Sequence, residues 1–166
     1  TIADKLADGD AIVMLAASGI HANGVSLARK VAAETANGYR AKLSDGRLYG
    51  DALLDPTVLY SPVTEALFAA GIIPHYCANI TGHGWRKLLR HPKQLTYRIT
   101  QVPPKTPVLA FMQKECGLDD HEAYGTLNMG AGFALYQRNL TDVAVGGEPG
   151  AIAVGVGDRG GEGDTA

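Results

Sequence analysis

The sequence predicts an α+β domain in which helices pack on a largely antiparallel sheet. Segments of strand and helix character follow one another irregularly, as strand, helix, helix, strand, short helix, strand, helix, strand, strand. A parallel sheet would require a stricter alternation. Proline and glycine punctuate the helical segments at positions where helices start and stop. The 166 residues are 46% apolar and 19% charged, enough for one ordinary globular domain with a real core.

In chain order, the apolar run Ile12, Val13, Met14, Leu15 reads as the first strand. Residues 25–34 form an amphipathic helix, with Asn23 or Gly24 as its cap and Asn37 or Gly38 closing it. Residues 40–50 contain Ser44, Asp45 and Gly46 and read as an exposed loop or hairpin. Ser61 followed by Pro62 starts a second helix with Val63, Ala66, Leu67 and Ala70 on one face, ended by Gly71. Residues 72–80 read as a strand whose start Pro74 confines to an edge or lead-in. A Gly-rich turn then opens a short helix that His91 and Pro92 stop. Residues 95–102 alternate in the β sense and predict a half-buried strand. Thr106 and Pro107 start a helix that buries Val108, Phe111, Met112 and Cys116. An apolar strand ends near Tyr136, and residues 151–156 read as the final strand before a tail over 157–166. The expected organisation is a single domain over 1–156 plus that tail.

A net charge of −2 gives no electrostatic case for nucleic acid or an anionic membrane. No apolar run approaches the roughly 20 residues of a membrane span, and no signal peptide opens the chain. Cys77 and Cys116 are too few and too separated for a disulfide framework, which favours the cytoplasm. His121 among Asp119, Asp120 and Glu122 is better explained as an acidic helix start than as a metal site, so no metal ligands are assigned.

Two strand-to-helix turns carry the chemistry. The first holds Ser18, Gly19, His21, Asn23 and Gly24 and offers backbone N–H groups, neutral donors and one group that titrates near neutrality. The second holds Thr81, Gly82, His83 and Gly84 and is followed by Arg86 and Lys87. Cations in a first helical turn oppose the helix dipole by roughly 0.3–1 kcal/mol, which is consistent either with a site for an anion or with two solvated surface residues. A third string, Asn128, Met129, Gly130, Ala131, Gly132, permits close approach of backbone or ligand.

The string from Leu15 to Leu27 resembles the Ser-Ser-Gly-x-His-Ser-Asn-Gly-x-Ser-Leu motif that opens the C-terminal domain of aminoimidazole ribonucleotide synthases, the phosphoribosylformylglycinamidine cyclo-ligases. Leu53, Leu54, Pro56, Thr57 and Tyr60 resemble a second string of that family; Ile80 to Gly84 and Asn128 to Gly132 resemble two more. Ala17, Ala22, His83 and Gly125 depart from the family pattern. The resemblance implies an α/β/α layered domain, partly ferredoxin-like, that forms the C-terminal half of a longer enzyme.

It further implies ATP-dependent closure of the imidazole ring of aminoimidazole ribonucleotide from formylglycinamidine ribonucleotide, in purine biosynthesis. ATP and Mg would be held mainly by an N-terminal domain outside this chain, which alone should be inactive. Partners would be the ribonucleotide substrate, that N-terminal domain and, at full length, a second copy in a homodimer. His21 would be the catalytic polar or acid–base group. Ser18, Gly19, Asn23, Gly24, Thr81, Gly82, Gly84, Asn128 and Gly130 would bind substrate or phosphate. Two other readings stay open: another ATP-using member of the superfamily, such as a thiamine-phosphate kinase or a maturation factor, or a non-catalytic binding or assembly domain.

Overall fold

The computed structural model describes residues 5–138 and 151–154. Strands β1 (Ala11–Ala16), β2 (Tyr76–Asn79), β3 (Ala131–Gln137) and β4 (Ala151–Val154) form one sheet in the order β2-β3-β1-β4. Every neighbouring pair is antiparallel. This mixed helix and strand architecture is the α+β fold that the sequence predicts, and its strand order is that of the ferredoxin-like arrangement.

The two faces of the sheet follow from the register. Ile12 lies opposite Tyr136 and Met14 opposite Ala134, and these side chains share one core with Leu88, Leu95, Tyr97 and Ile99. Val13 lies opposite Leu135 and Leu15 opposite Phe133, and this face meets Val63 and Leu67 of helix α3 (Ser61–Ala69). Helix α1 (Val25–Glu34), the short α2 (Tyr49–Ala52), α4 (Pro107–Glu115) and α5 (Asp120–Thr126) build a further apolar cluster. Tyr49 is fully buried within it and donates its hydroxyl to the Ala28 carbonyl at 3.1 Å.

Helix ends mostly obey their local signals. Gly71 ends α3 with φ 76°, while its N–H reaches Phe68 O and that of Ile72 reaches Leu67 O. Asp119 and Glu122 cap α5 reciprocally, so the acidic cluster around His121 is indeed a helix start. Thr106 takes the N-cap position of α4 without a side-chain cap bond. Tyr60, not Ser61, stands at the N-cap of α3. Helix α1 closes at Thr35, before the expected Asn37 or Gly38.

Three expectations need correction. Residues 95–102 form no strand: Leu95, Tyr97 and Ile99 turn inward, yet the segment lies across a face of the sheet instead of joining an edge. Alternation reports one-sided burial, which packing on a face satisfies as well as a ladder does. Residues 40–50 are more buried than an exposed hairpin, because Ala41, Leu43 and Tyr49 enter the helical core around a single Lys42–Leu48 bridge. The strand expected over 72–80 is confined to β2, with Pro74 in its lead-in. The final strand is β4, and the predicted tail over 157–166 lies outside the described residues. No helix among the described residues is long and apolar enough to cross a membrane.

Candidate functional site

The first loop leaves β1 at a register shift between Leu15 and Ala16. It closes on itself through the Ser18 N–H, which donates to His21 Nε2 at 3.1 Å. The Ser18 hydroxyl donates to the Pro56 carbonyl at 2.6 Å. That hydroxyl also lies 3.1 Å from His21 Nε2, but its single proton is committed to Pro56. Nε2 therefore accepts, and the imidazole carries its proton on Nδ1. Burial lowers the His21 pKa from its ordinary value, in keeping with a neutral ring. Among the described residues Nδ1–H meets no acceptor, and the side chain lines a cavity.

The second loop turns through the Gly84 N–H, which donates to Thr81 O at 2.9 Å. His83 takes the left-handed conformation at φ 73°, so the side chain that replaces the family's glycine is exposed and accommodated. At Gly84, φ is 51° and a Cβ would stand 2.6 Å from the Leu127 carbonyl oxygen. At Gly82 a Cβ would stand 3.2 Å from Asn23 Oδ1. The two loops therefore touch, as expected for turns that serve one ligand.

Arg86 does not complete an anion site there, and neither Arg86 nor Lys87 lines the cavity beside the loops. The helix they belong to is a short 3-10 segment, Gly84–Leu89. The Arg86 guanidinium lies over Gly125, with Nε and Nη2 3.1 Å from where a Cβ at that position would be. It faces a separate groove with Trp85, Tyr97 and Tyr124. The expectation of cations placed for a phosphate treats sequence adjacency as spatial adjacency.

Asn128 ties the loops from behind. It is 1% exposed; its Nδ2 donates to Gly19 O at 2.9 Å, and its Oδ1 accepts from Gly130 N at 3.0 Å. Its carbonyl accepts from Trp85 Nε1 at 2.8 Å, just beyond the second loop. Gly19, Gly24, Gly82, Gly84, Asn128 and Gly130 do not line the cavity; they shape its walls. Gly24 starts α1 at φ 79°, and a Cβ there would stand 2.9 Å from Leu127 Cδ2. Ser18 holds the loop to the strap that follows α2.

The cavity holds about 440 Å³. His21, Ala22 and Asn23 line one side, and Asn79, Ile80 and Thr81 another. The strap 57–60, Ser61 and Thr64 of α3, and Phe133 complete it. Tyr60 stacks on Phe133 with ring centroids 5.3 Å apart and donates its hydroxyl to Ala16 O at 2.6 Å. An exposed clasp of Arg47 Nη1 on both Asp55 oxygens, each at 2.9 Å, secures the base of the strap. Thr57, Ser61, Thr64 and Asn79 were absent from the residues that sequence reasoning assigned to the site. The Leu-Leu-x-Pro-Thr string marked the strap, but nothing local marks single polar residues at the end of β2 or the start of α3.

Among the described residues, no Asp, Glu, Lys or Arg lines this cavity. Among the described residues no group of three His, Cys, Asp or Glu could hold a metal ion. The donor set thus does not fit a magnesium–nucleotide complex, which needs carboxylate oxygens and cationic partners for its phosphates.

Comparison with known proteins follows the same lines. A family model described as AIR synthase related protein, C-terminal domain, matches residues 7–144. A phosphoribosylformylglycinamidine cyclo-ligase of Methanococcus maripaludis is 42% identical over 133 residues, covering 79% of this chain and 38% of that protein. The enzyme of the same name from Methanocaldococcus jannaschii is 41% identical over 129 residues, 76% of this chain and 37% of its own length. That of Methanosarcina barkeri is 36% identical over 134 residues, 80% of this chain and 39% of its own. The chain therefore spans under two fifths of the length of these relatives.

Proposed function

The chain belongs to the AIR synthase related family, as its C-terminal domain, and from that premise we propose that it supplies the substrate-orienting half of a cyclo-ligase active site. The reaction is ATP-dependent closure of the imidazole ring from formylglycinamidine ribonucleotide, a step of purine biosynthesis. The observation that carries this reading is the meeting of the two motif loops at one cavity, with Asn23 against Gly82.

Within that reaction the roles of this chain's residues follow from their protons. His21 keeps Nε2 as an acceptor for Ser18 N–H and presents Nδ1–H, a neutral donor, to the oxygen of the reacting amide. Asn23 and Thr81 orient the substrate from the two loops, and Phe133 and Tyr60 provide an apolar wall that limits water. Since the described residues of the cavity offer no ligand set for MgATP, we assign the nucleotide and its metal to the part of the full-length protein outside this chain, and no step here runs through them.

The test is His21→Ala in the full-length protein, followed by single-turnover rate and melting temperature on the same preparation. Loss of one donor aimed at developing charge lowers a rate by about 10²–10³-fold. The lost Ser18 contact should cost only about 1 kcal/mol of stability, a shift of a few degrees. A near-normal single-turnover rate with a large loss of melting temperature would overturn the role.

A further inference from the structure

The register of the sheet steps where β1 gives way to the first loop. Leu15 lies opposite Phe133 and Ala16 opposite Ala131, so Gly132 has no register partner on β1. On its other side the Gly132 carbonyl accepts from Ile80 N at 2.9 Å, at the entry to the second loop. An extra residue of this kind bends a strand and re-aims the side chains around it, and glycine there leaves room for a close approach. That room is filled from two directions: a Cβ at Gly132 would collide with Tyr60 Oη and stand 2.8 Å from His21 Cε1.

Tyr60 reaches this point from the N-cap of α3 and donates its hydroxyl to the Ala16 carbonyl at 2.6 Å. Burial raises the phenol pKa, so the hydroxyl stays a donor across the neutral range. Its ring lies 6.2 Å from that of His21, tilted by 47°. His21 itself has φ 54°, a left-handed conformation uncommon for a residue with a Cβ. The Ser18 N–H holds Nε2 at 3.1 Å and Cε1 abuts Gly132, so the imidazole is gripped along its Nε2–Cε1 edge. The grip depends on the path of the chain from Ala16 to Ser18, and Tyr60 anchors the start of that path.

We infer that Tyr60 and Gly132 are positioning residues for His21. The Tyr60 hydroxyl sets the course of the first loop through Ala16, and the missing Cβ at Gly132 lets the imidazole seat with Nδ1 as its protonated nitrogen. The use of that orientation in ring closure rests on the function proposed above; the contacts that impose it do not. Both residues act through His21: the Tyr60 hydroxyl is spent on Ala16, and Gly132 contributes only space. Without the Tyr60 bond, the Ser18 N–H is no longer held on Nε2 and the ring can exchange between its two neutral tautomers.

The experiment observes the imidazole nitrogens by nuclear magnetic resonance in full-length protein carrying isotope-labelled histidine. The His21 signals are those missing from His21→Gln. In the wild type Nδ1 should resonate as a protonated nitrogen and Nε2 as an unprotonated one. Tyr60→Phe keeps the ring and its stack on Phe133, yet its two His21 signals should converge toward the average of exchanging tautomers. Its single-turnover rate should fall about 10- to 100-fold, the scale of a misplaced catalytic group, with KM changed by under about 2-fold. Gly132→Ala should converge the signals in the same way. Phe133→Leu, which loosens the stack and spares the hydroxyl bond, should lower the melting temperature and leave the His21 signals in place. Unchanged signals in Tyr60→Phe or in folded Gly132→Ala, or an equal change in Phe133→Leu, would overturn the inference. Such a result in an enzyme that closes the ring refutes the inference alone. The expected signals in a protein that closes no ring refute the proposed function alone.

Discussion

His21 shows how a single residue can be committed by its neighbours before any ligand arrives. The Ser18 N–H fixes Nε2 as an acceptor, so protonating the ring at that nitrogen would set two N–H groups against each other. The lowered pKa has a direct consequence for stability. The unfolded ring takes up a proton near its ordinary value of 6.5, while the folded ring resists it. Its contribution is thus full above about 6.5 and is lost as the pH falls from there through the folded pKa. Melting curves of the wild type and of His21→Gln between pH 8 and pH 5 should show the wild-type advantage shrinking on the acid side. An advantage that stays constant or grows toward pH 5 would contradict a ring held neutral by burial. Asn128 is the complementary case: buried, with four hydrogen bonds made, it holds the loops and does not line the cavity.

At the level of elements, the loops are positioned by backbone packing that leaves no room for side chains. Gly84 has its Cβ position filled by the carbonyl oxygens of Tyr124 and Leu127, and its φ of 51° lies in the left-handed region. Gly84→Ala should therefore destabilise the protein by about 3 kcal/mol, from overpacking against backbone together with left-handed strain. Chemical denaturation would check this; a loss below 1 kcal/mol would show that α5 yields easily. Much of this level was legible in the sequence. Ile12 to Leu15 announced β1, Pro62 and Gly71 bracketed α3, and Asp119 with Glu122 announced α5, because each signal is local. Residues 95–102 were misread because periodicity records which side chains are buried and not which backbone groups pair. Arg86 was misread because a 3-10 turn swings it over Gly125, a geometry that no spacing rule anticipates. Part of the cavity was likewise invisible: Thr64 and Asn79 come together only through the fold.

For the whole molecule, the sheet order β2-β3-β1-β4 explains why function gathers where it does. Both motif loops leave strand ends, β1 at Ala16 and β2 at Asn79, and the antiparallel β3 lies between those two strands. Phe133 of β3 consequently forms part of the cavity wall between the loops. Residues 80–130, inserted between β2 and β3, carry the second loop, α4, α5 and Asn128, so one long connection supplies both a wall of the cavity and its brace. Among the described residues the lining carries none of the charged groups that a phosphorylated nucleotide substrate and MgATP require, and the chain spans under two fifths of the length of its relatives. The central claim is that this domain orients the reacting amide and depends on the rest of the full-length protein for everything ionic. Its most direct test is turnover of formylglycinamidine ribonucleotide with ATP, measured for the full-length protein and for this chain at equal concentration. The account predicts ring closure by the first and none by the second; turnover by this chain alone would contradict it.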